Sequence, residues 1–223
     1  MMSHTPIGTD MISEHTAIAR TLSRLPDIIP AQSLIHDTDT CVWRYDILCG
    51  RLVELSSTDA SASLTATTSL IMQAQRQGEP VVWVTAKESC VYPPDLSGQG
   101  IDLEALIVVR VDAVTDVPRA AEKLVHSGAF GLVVLDLGEH AHIPTPLLAR
   151  LMQLARKHDA AVVCLTEKSA DEESLSSLVS LRGEVRRVQS EAGMYRIEVQ
   201  VLKDKRGTSW RHTERCHGPM GLR

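Results

Sequence analysis

Two groups of residues near the middle and end of the chain could hold a metal ion by residue type. His140 and His142 alternate in GEHAH, and imidazole is a zinc ligand. His212, Cys216 and His217 form a second group near the C-terminus. The first group has no evident fourth ligand and the second has no CxxC pair. We therefore interpret them as a polar loop and as part of the C-terminal tail, and we predict no metal site.

Nucleophilic catalysis has no support in the sequence. The chain contains no G-x-S-x-G motif. Its five cysteines are an odd number without CxxC spacing, which argues against a disulfide framework and for a reducing, cytoplasmic compartment. The first fifteen residues lack the basic and apolar regions of a signal peptide, and no apolar run reaches membrane-spanning length. We expect no membrane partner.

Charge is distributed unevenly along the chain. The formal net charge is −5, which argues against a general nucleic-acid binder. Residues 179–223 nevertheless hold ten Lys or Arg and five Asp or Glu. This basic end could contact nucleic acid or an acidic partner, or it could be a solvated face.

Apolar runs alternate with amphipathic segments from Gly50 onward. Residues 1–12 are predicted to be disordered and 13–25 to be helical, as parts of an N-terminal arm over 1–49. The core is predicted over 50–211 and a basic tail over 212–223. The sequence predicts strands over 51–56, 80–86, 105–111, 130–137, 160–167 and 196–204, helices over 61–77, 117–128 and 144–160, and a loop over 87–100.

This order of elements predicts an α/β fold. Strands linked by helices form a right-handed, mostly parallel sheet with helices on both faces. The strand over 196–204 alternates apolar and polar residues, and we expect it to extend the sheet in the antiparallel direction.

The segment from Gly50 to Glu88, GRLVELSSTDASASLTATTSLIMQAQRQGEPVVWVTAKE, resembles the RecA recombinase family. The family has a GRIVEI strand, a phosphate loop, a helix ending in AQREG and a second strand. HSGAFGLVVLDL (126–137) resembles the family's second nucleotide-site strand, with Asp136 in the magnesium-associated position. The resemblance implies a RecA-like fold over the core.

The phosphate loop of that family is not preserved. The motif G-x-x-x-x-G-K-[ST] uses glycines for close backbone approach, a lysine for the β and γ phosphates and a hydroxyl for magnesium. Its defining positions fall on Ser57, Ala62, Ser63 and Leu64. The position of the water-activating glutamate falls on Lys87. We therefore predict no catalytic residues, no ATPase activity and no cofactor, with Asp136 as a relic.

The DNA-handling parts also differ from the recombinases. The resemblance places a DNA-holding loop over 166–178, where this chain carries four acids and one lysine. Lys203, Lys205 and Arg206 match a basic pair that in the family reaches a neighbour's nucleotide. Two interpretations stay open, a relic on a solvated strand end or a contact with a partner or DNA; we favour the first slightly.

An N-terminal arm, an altered phosphate loop and a basic tail together resemble the ImuA family, which is also similar to SulA-type division inhibitors. The resemblance implies a non-catalytic accessory factor of the DNA-damage (SOS) response. Its implied partners are an ImuB-like Y-family polymerase homologue, an error-prone replicative-type polymerase and RecA. Self-association through the arm and direct DNA binding stay open. Candidate contact residues are Trp43, Lys203, Lys205, Arg206, Arg211 and Arg215.

Two other functions are compatible with the same residues. One is a SulA-like inhibitor that binds the cell-division GTPase. The other is an ATP-binding RecA paralogue with an unusual site.

Overall fold

A computed structural model describes residues 43–58, 60–87, 93–139, 141–189, 195–207 and 209–216. The chain divides into two units, Met1–Cys41 and Val42–Arg223. The first unit, with the predicted helix over 13–25, lies outside the described residues.

The second unit alternates strands and helices. The helices are α1 (Tyr45–Leu48), α2 (Ala60–Arg76), α3 (Pro93–Gly98), α4 (Val117–Ser127) and α5 (Thr145–His158). The strands are β1 (Leu52–Ser56), β2 (Val81–Ala86), β3 (Leu106–Val111), β4 (Leu132–Gly138), β5 (Ala161–Thr166), β6 (Leu181–Gln189), β7 (Tyr195–Asp204) and β8 (Arg211–Cys216).

All eight strands form one sheet in the order β3-β2-β4-β5-β1-β6-β7-β8. The six strands from β3 to β6 run parallel, whereas β7 and β8 add antiparallel strands beyond β6. Strand β5 therefore separates β1 from β4. The predicted α/β fold with a mostly parallel sheet is confirmed, and so is the antiparallel direction of the late strand.

The central strands are apolar because helices cover both of their faces. On one face, α4 and α5 enclose a cluster formed with alternate residues of four strands, including Leu52, Val82, Val133 and Val162. Helix α2 contributes nothing to this cluster and packs on β2, β4, β6 and β7, so it covers the opposite face. This sandwich fixes the carboxyl ends of β1, β4 and β5 side by side along one edge.

Helix α4 ends at Gly128, whose φ of 70° is left-handed and whose N–H bonds to Val125 O. A side chain there would strain the backbone and would also meet the His158 ring at 2.7 Å. The helix can therefore turn directly into the approach to β4.

Several predicted boundaries differ from the structure. The predicted loop over 87–100 contains α3, and β6 and β8 were not predicted. The predicted arm limit at residue 49 is too late, because Trp43, Tyr45 and Leu48 are buried in the second unit. The predicted tail from residue 212 instead continues as β8 to Cys216. No described helix is both long and apolar enough to cross a bilayer.

Candidate functional site at the carboxyl edge of the sheet

The connection from β1 to α2 is short and closed. The N–H of Ser57 donates to Thr166 O at 3.1 Å, which ties the end of β1 to the end of β5. Helix α2 begins at Ala60, so the positions of Ala62 and Ser63 lie inside its first turn. Both residues are buried, and Leu64 is 37% exposed. The chain is therefore already helical at positions where a phosphate loop has glycines, a lysine and backbone N–H groups free to bind phosphate.

The hydroxyls that follow in α2 serve the helix itself. Thr67 Oγ1 donates to Ser63 O at 2.7 Å, and Thr68 Oγ1 donates to Leu64 O at 2.8 Å. In such a bond the hydroxyl donates its proton to a carbonyl of the preceding turn of the same helix. The four motif positions thus hold no glycine and no lysine, and Leu64 stands at the position of the metal-binding hydroxyl.

Asp136 lies on β4 along the same edge, with β5 between it and Ser57. Its Oδ2 accepts a hydrogen bond from Thr85 Oγ1 on β2 at 3.0 Å. The pairing of β4 with β5 shifts register between Asp136 and Gly138. The aspartate that matches the magnesium-associated position is therefore bonded to a neighbouring strand.

Lys87 follows β2, and its contacts are with the end of β3. Its Nζ forms an ion pair with Asp112 Oδ1, and its N–H donates to Val111 O at 3.0 Å. Both side chains are exposed, at 66% and 82%. Lys87 therefore stands where the family has a carboxylate base, and its ammonium group pairs with Asp112, which follows β3.

Glu54 is a feature that sequence reasoning missed. It lies on β1, its side chain is fully buried, and loop 167–180 supplies most of its partners. Oε2 accepts bonds from Ser174 Oγ at 2.6 Å and from Leu175 N at 2.9 Å, while Oε1 accepts from Thr166 Oγ1 at 3.3 Å. A charged residue inside the apolar run RLVELS was the available signal.

Two cations balance this carboxylate. Lys168 Nζ lies 3.8 Å from Oε1, and Arg182 Nε lies 4.0 Å from Oε2. Arg182, on β6, is 5% exposed and also donates to Ser169 O at 2.7 Å and to Glu172 O. The glutamate and the arginine together hold residues 168–175 of the loop against the sheet.

The acids of this loop are also used internally. Glu172 Oε2 accepts bonds from Ser169 N at 2.8 Å and Ser169 Oγ at 3.1 Å, and these bonds lower the pKa of its carboxyl. The N–H of Ala170 donates to Glu184 Oε1 at 3.1 Å. The loop that in the recombinases holds DNA is here an acidic loop with a fixed internal network.

A cavity of 380 Å³ lies between the β1–α2 connection, this loop and β6. Ser57 and Thr58 line one side, and Asp171, Glu184 and Arg186 line the other. Arg186 Nη2 pairs with Glu184 Oε2 at 2.9 Å. Charges of both signs therefore line the cavity, and its described surface does not form a purely cationic cradle for phosphate.

The basic residues at the end of β7 have internal partners. Lys203 Nζ donates to Ser176 O at 3.2 Å, and Lys205 Nζ donates to Ser177 O. Burial, and then the charge of Lys205, lower the pKa of Lys203. Arg206 donates to Cys49 O at 3.4 Å and to Gly50 O at 3.3 Å. These cations fasten loop 167–180 and the start of β1; their contact with a partner or DNA stays a prediction.

The interpretation of Trp43 as a partner contact is wrong. Its side chain is 1% exposed, its Nε1 donates to Ala66 O at 3.4 Å, and its ring lies 6.3 Å from that of Trp210. The Trp43 indole lies beside Gly183, where a side chain would approach Val199, Leu55 and Trp43. The sequence does not show that Trp210, 167 residues later, lies against Trp43, so the burial of Trp43 was not predicted.

The remaining candidates are distributed apart from this edge. Arg211 is exposed on β8 and pairs with Glu198 at 3.4 Å, and the side chain of Arg215 is outside the described residues. The described residues contain no group of three possible metal ligands. His140 and His217 are outside the described residues, so the structure does not complete either histidine cluster.

Fold and site together define an α/β domain of the kind that carries a phosphate loop after its first strand, but with that loop replaced. Residues 26–161 match the model of the RecA N-terminal domain. This match covers more than half of the chain, and the chain belongs to the RecA N-terminal domain family.

Curated relatives agree with this assignment. The chain is 24% identical to Protein RecA of Aquifex aeolicus, over 84% of this chain and 64% of the relative. It is 25% identical to Protein RecA of Treponema denticola over 84% and 54%, and 30% identical to that of Nocardioides sp. over 61% and 41%. The chain thus spans less than two thirds of the length of these relatives.

Proposed function

We propose that this chain is a non-catalytic, RecA-related accessory factor that works through contacts with other proteins. The observation that carries the proposal is the start of α2 at Ala60, which puts Ala62 and Ser63 inside a closed helical turn. A phosphate loop works by wrapping free backbone N–H groups around phosphate oxygens. A helical turn without the lysine and the glycines lacks the groups that a phosphate loop uses to bind phosphate oxygens.

Two further contacts support the loss of catalysis. Asp136 is hydrogen-bonded to Thr85, and Lys87 stands where a carboxylate base would be needed. Phosphoryl transfer depends on positioning and on charge stabilisation at the γ-phosphate. The position of the phosphate-binding lysine falls on Ser63, and the position of the water-activating carboxylate falls on Lys87.

The finer role follows from the resemblance to the ImuA family. The proposed setting is the DNA-damage (SOS) response, with error-prone translesion synthesis as the process supported. The proposed partners are an ImuB-like Y-family polymerase homologue, an error-prone replicative-type polymerase and RecA. Loop 167–180, acidic and fastened by Glu54, supports protein contact over binding of a DNA strand, since carboxylates repel phosphates.

Nucleotide binding is the first test. Thermal unfolding is measured with and without millimolar Mg-ATP, Mg-ADP and a non-hydrolysable ATP analogue, with a RecA recombinase as the positive control. A ligand that binds only the folded state raises the melting temperature, and a concentration of 100 Kd adds about 2.7 kcal/mol. We expect no rise for this chain. A rise that Asp136→Asn abolishes would instead favour an ATP-binding RecA paralogue.

Partner identity is the second test. The tagged chain is recovered from ultraviolet-treated cells, and the proteins that co-purify are identified by mass spectrometry. Recovery of a Y-family polymerase homologue, a replicative-type polymerase or RecA supports the damage-response role. Recovery of the cell-division GTPase, with filamentous cells on overexpression, would assign the chain to the SulA-like inhibitors.

A further inference from the structure

A cavity of 530 Å³ lies at the amino edge of the sheet, opposite the edge that holds Ser57 and Asp136. Three connections that lead into strands border it, namely those from α2 to β2, from α4 to β4 and from α5 to β5, and α1 contributes a further wall. This amino-edge cavity shares no lining residue with the phosphate-loop positions or with loop 167–180. It is therefore a separate candidate site.

The lining of the amino-edge cavity is acidic. Asp46, Glu79 and Asp159 contribute carboxylates, and no Lys or Arg is among the described residues that line it. Asp46 pairs with Arg44 at 2.7 Å. Glu79 and Asp159 form no ion pair with any residue that the structure describes. Two carboxylates therefore border the same space without a counter-ion.

The helices add to this negative potential. α2, α4 and α5 all end at the amino edge, and the C-terminus of a helix carries a partial negative charge. Arg156 and Lys157, in the last turn of α5, do not line the cavity. Arg206 donates to the carbonyls of Cys49 and Gly50, so its guanidinium serves the backbone beside the cavity. The space itself favours a cation.

Two neutral side chains of the lining experience this potential. Tyr45 is 2% exposed, and its hydroxyl contacts the Cys49 side chain. Burial, then the contact with Cys49 and the charges of Glu79 and Asp159, raise the pKa of Tyr45. Burial, together with the charges of Asp159, Glu79 and Asp46, raises the pKa of the Cys49 thiol. Both groups therefore stay uncharged at neutral pH and remain available for hydrogen bonding.

Glycines keep the space open. A Cβ atom at Gly131 would collide with Glu79 Oε2 and with the Tyr45 hydroxyl, and one at Gly128 would lie 2.7 Å from the His158 ring. Glu79 and Tyr45 thus meet over the backbone of Gly131. A ligand that enters the cavity there contacts a carboxylate and a buried phenol together.

The lining selects an organic cation over a metal ion. The described residues contain no group of three possible metal ligands. The acceptors instead come from separate connections, and the rings of Tyr45 and Phe130 border the cavity. A guanidinium group presents five N–H donors in one plane, is less strongly hydrated than an ammonium and stacks on aromatic rings.

We propose that the amino-edge cavity binds a guanidinium group, paired with Glu79 and Asp159 and bordered by Tyr45. Both carboxylates are exposed, so binding depends on salt. Two sources can supply the group, a free guanidino compound or an arginine side chain of a partner protein, and the experiment separates them. The inference does not rest on the proposed function, since the cavity lies at the other edge of the sheet.

The test is an NMR titration of the full chain with N-acetylarginine amide, read from the backbone amide signals of Gly128 and Gly131. N-acetylcitrulline amide is the neutral matched ligand, and N-acetyllysine amide carries the same charge on an ammonium. We expect both signals to shift with one Kd for the arginine compound. The lysine compound should bind more weakly and the citrulline compound should not bind. High salt should weaken binding, because it screens exposed charges.

Two conservative variants test the carboxylates. Glu79→Gln and Asp159→Asn each remove one charge, and each should reduce affinity about threefold or more. Asparagine tolerates the left-handed φ of 52° at residue 159, so that variant keeps its backbone. Glu104→Gln is the matched control, because Glu104 is an exposed acid outside the cavity. It should bind like the parent chain, and circular dichroism checks the fold of all three variants.

Two further ligands separate the sources of the group. They are agmatine, a free guanidino amine, and the peptide GSGRGSG, which carries the side chain on a longer backbone. Binding of the peptide as tightly as N-acetylarginine amide assigns the cavity to a partner's arginine. Binding of agmatine with rejection of the peptide assigns it to a free small molecule.

Three outcomes would overturn the proposal. They are equal binding of the citrulline or lysine compound, equal loss of affinity in Glu104→Gln, and signal shifts confined to residues outside the cavity. The last outcome would show that the cation only contacts the acidic surface of the protein. None of them bears on nucleotide binding or on co-purification, so failure here is distinguishable from failure of the proposed function.

Discussion

Ser174 Oγ donates a hydrogen bond to Glu54 Oε2 at 2.6 Å across 120 residues of sequence. The bond joins the centre of the sheet to the loop that covers its carboxyl edge. Leu175 N donates to the same oxygen at 2.9 Å, so the carboxylate fixes two consecutive residues of that loop. The loop conformation thus depends on a side chain 120 residues earlier in the sequence.

Glu54→Gln should therefore destabilise the fold strongly. Removing one member of a buried charge network leaves Arg182 and Lys168 without their carboxylate, which costs about 3–5 kcal/mol. Urea unfolding gives the change in stability, and limited proteolysis should cut loop 167–180 first. Glu198→Gln is the control, because Glu198 pairs with an exposed arginine and such pairs contribute about 1 kcal/mol or less. Equal losses in the two variants would show that the Glu54 network contributes no more to stability than an exposed ion pair.

The tryptophan pair predicts a measurable coupling. Trp43→Ala should cost about 3–5 kcal/mol, because a large buried side chain is removed from a packed site. Trp210→Ala should cost less, since Trp210 is 8% exposed. The double variant should be less destabilised than the sum, by about 0.5–1.5 kcal/mol, as expected for an aromatic pair. Strict additivity in urea unfolding would mean that the two rings do not interact.

Cys164 should be inert toward thiol reagents in the folded state. It is fully buried in β5, and burial together with the nearby Glu54 charge raises the pKa of its thiol. Reaction requires the thiolate and access to it. A variant that retains Cys164 alone should react with Ellman's reagent only after urea is added. A variant that retains the half-buried Cys49 alone should react in the folded state, but more slowly than a free thiol, because burial also raises the pKa of Cys49.

Glu214 gives a prediction for acidic pH. The contact with the His212 side chain, and then the hydrogen bond from Ser69 Oγ at 3.3 Å, hold the pKa of Glu214 below its usual value. A depressed pKa stabilises the folded state above the unfolded pKa of about 4.3, and that stability is lost as pH falls through the folded value. The parent chain should therefore lose more stability than Glu214→Gln between neutral pH and the acid transition. Urea unfolding across pH measures this, and Ser69→Ala should reduce the difference without removing it.

Much of the sheet was predictable because its strands are apolar runs. β2, β4 and β5 read VVWVTA, LVVLDLG and AVVCLT, and burial on both faces requires such runs. β6 escaped prediction because Arg182 and Glu184 are buried within it. Their burial depends on hydrogen bonds with the loop that precedes β6 and, for Arg182, on the charge of Glu54, and the pattern within the strand reveals neither.

The site was predictable in part for a similar reason. Because the phosphate-loop motif is defined by residue types, its replacement is visible in the sequence. Its defining positions were therefore located there, at Ser57, Ala62, Ser63 and Leu64. The start of α2 at Ala60 and the anchoring of loop 167–180 by Glu54 depend on three-dimensional packing. Trp43 was assigned wrongly because the sequence does not show that Trp210 lies against it.

The place of β1 in the sheet has a consequence for synthesis of the chain. Its two neighbours are β5 and β6, which end at residues 166 and 189, so β1 is made more than a hundred residues before its second partner. At about 5–20 residues per second, the ribosome leaves this apolar strand unpaired for on the order of ten seconds. Contacts so distant in sequence also slow folding. During that interval the nascent chain should be a client for chaperones that bind exposed apolar strands.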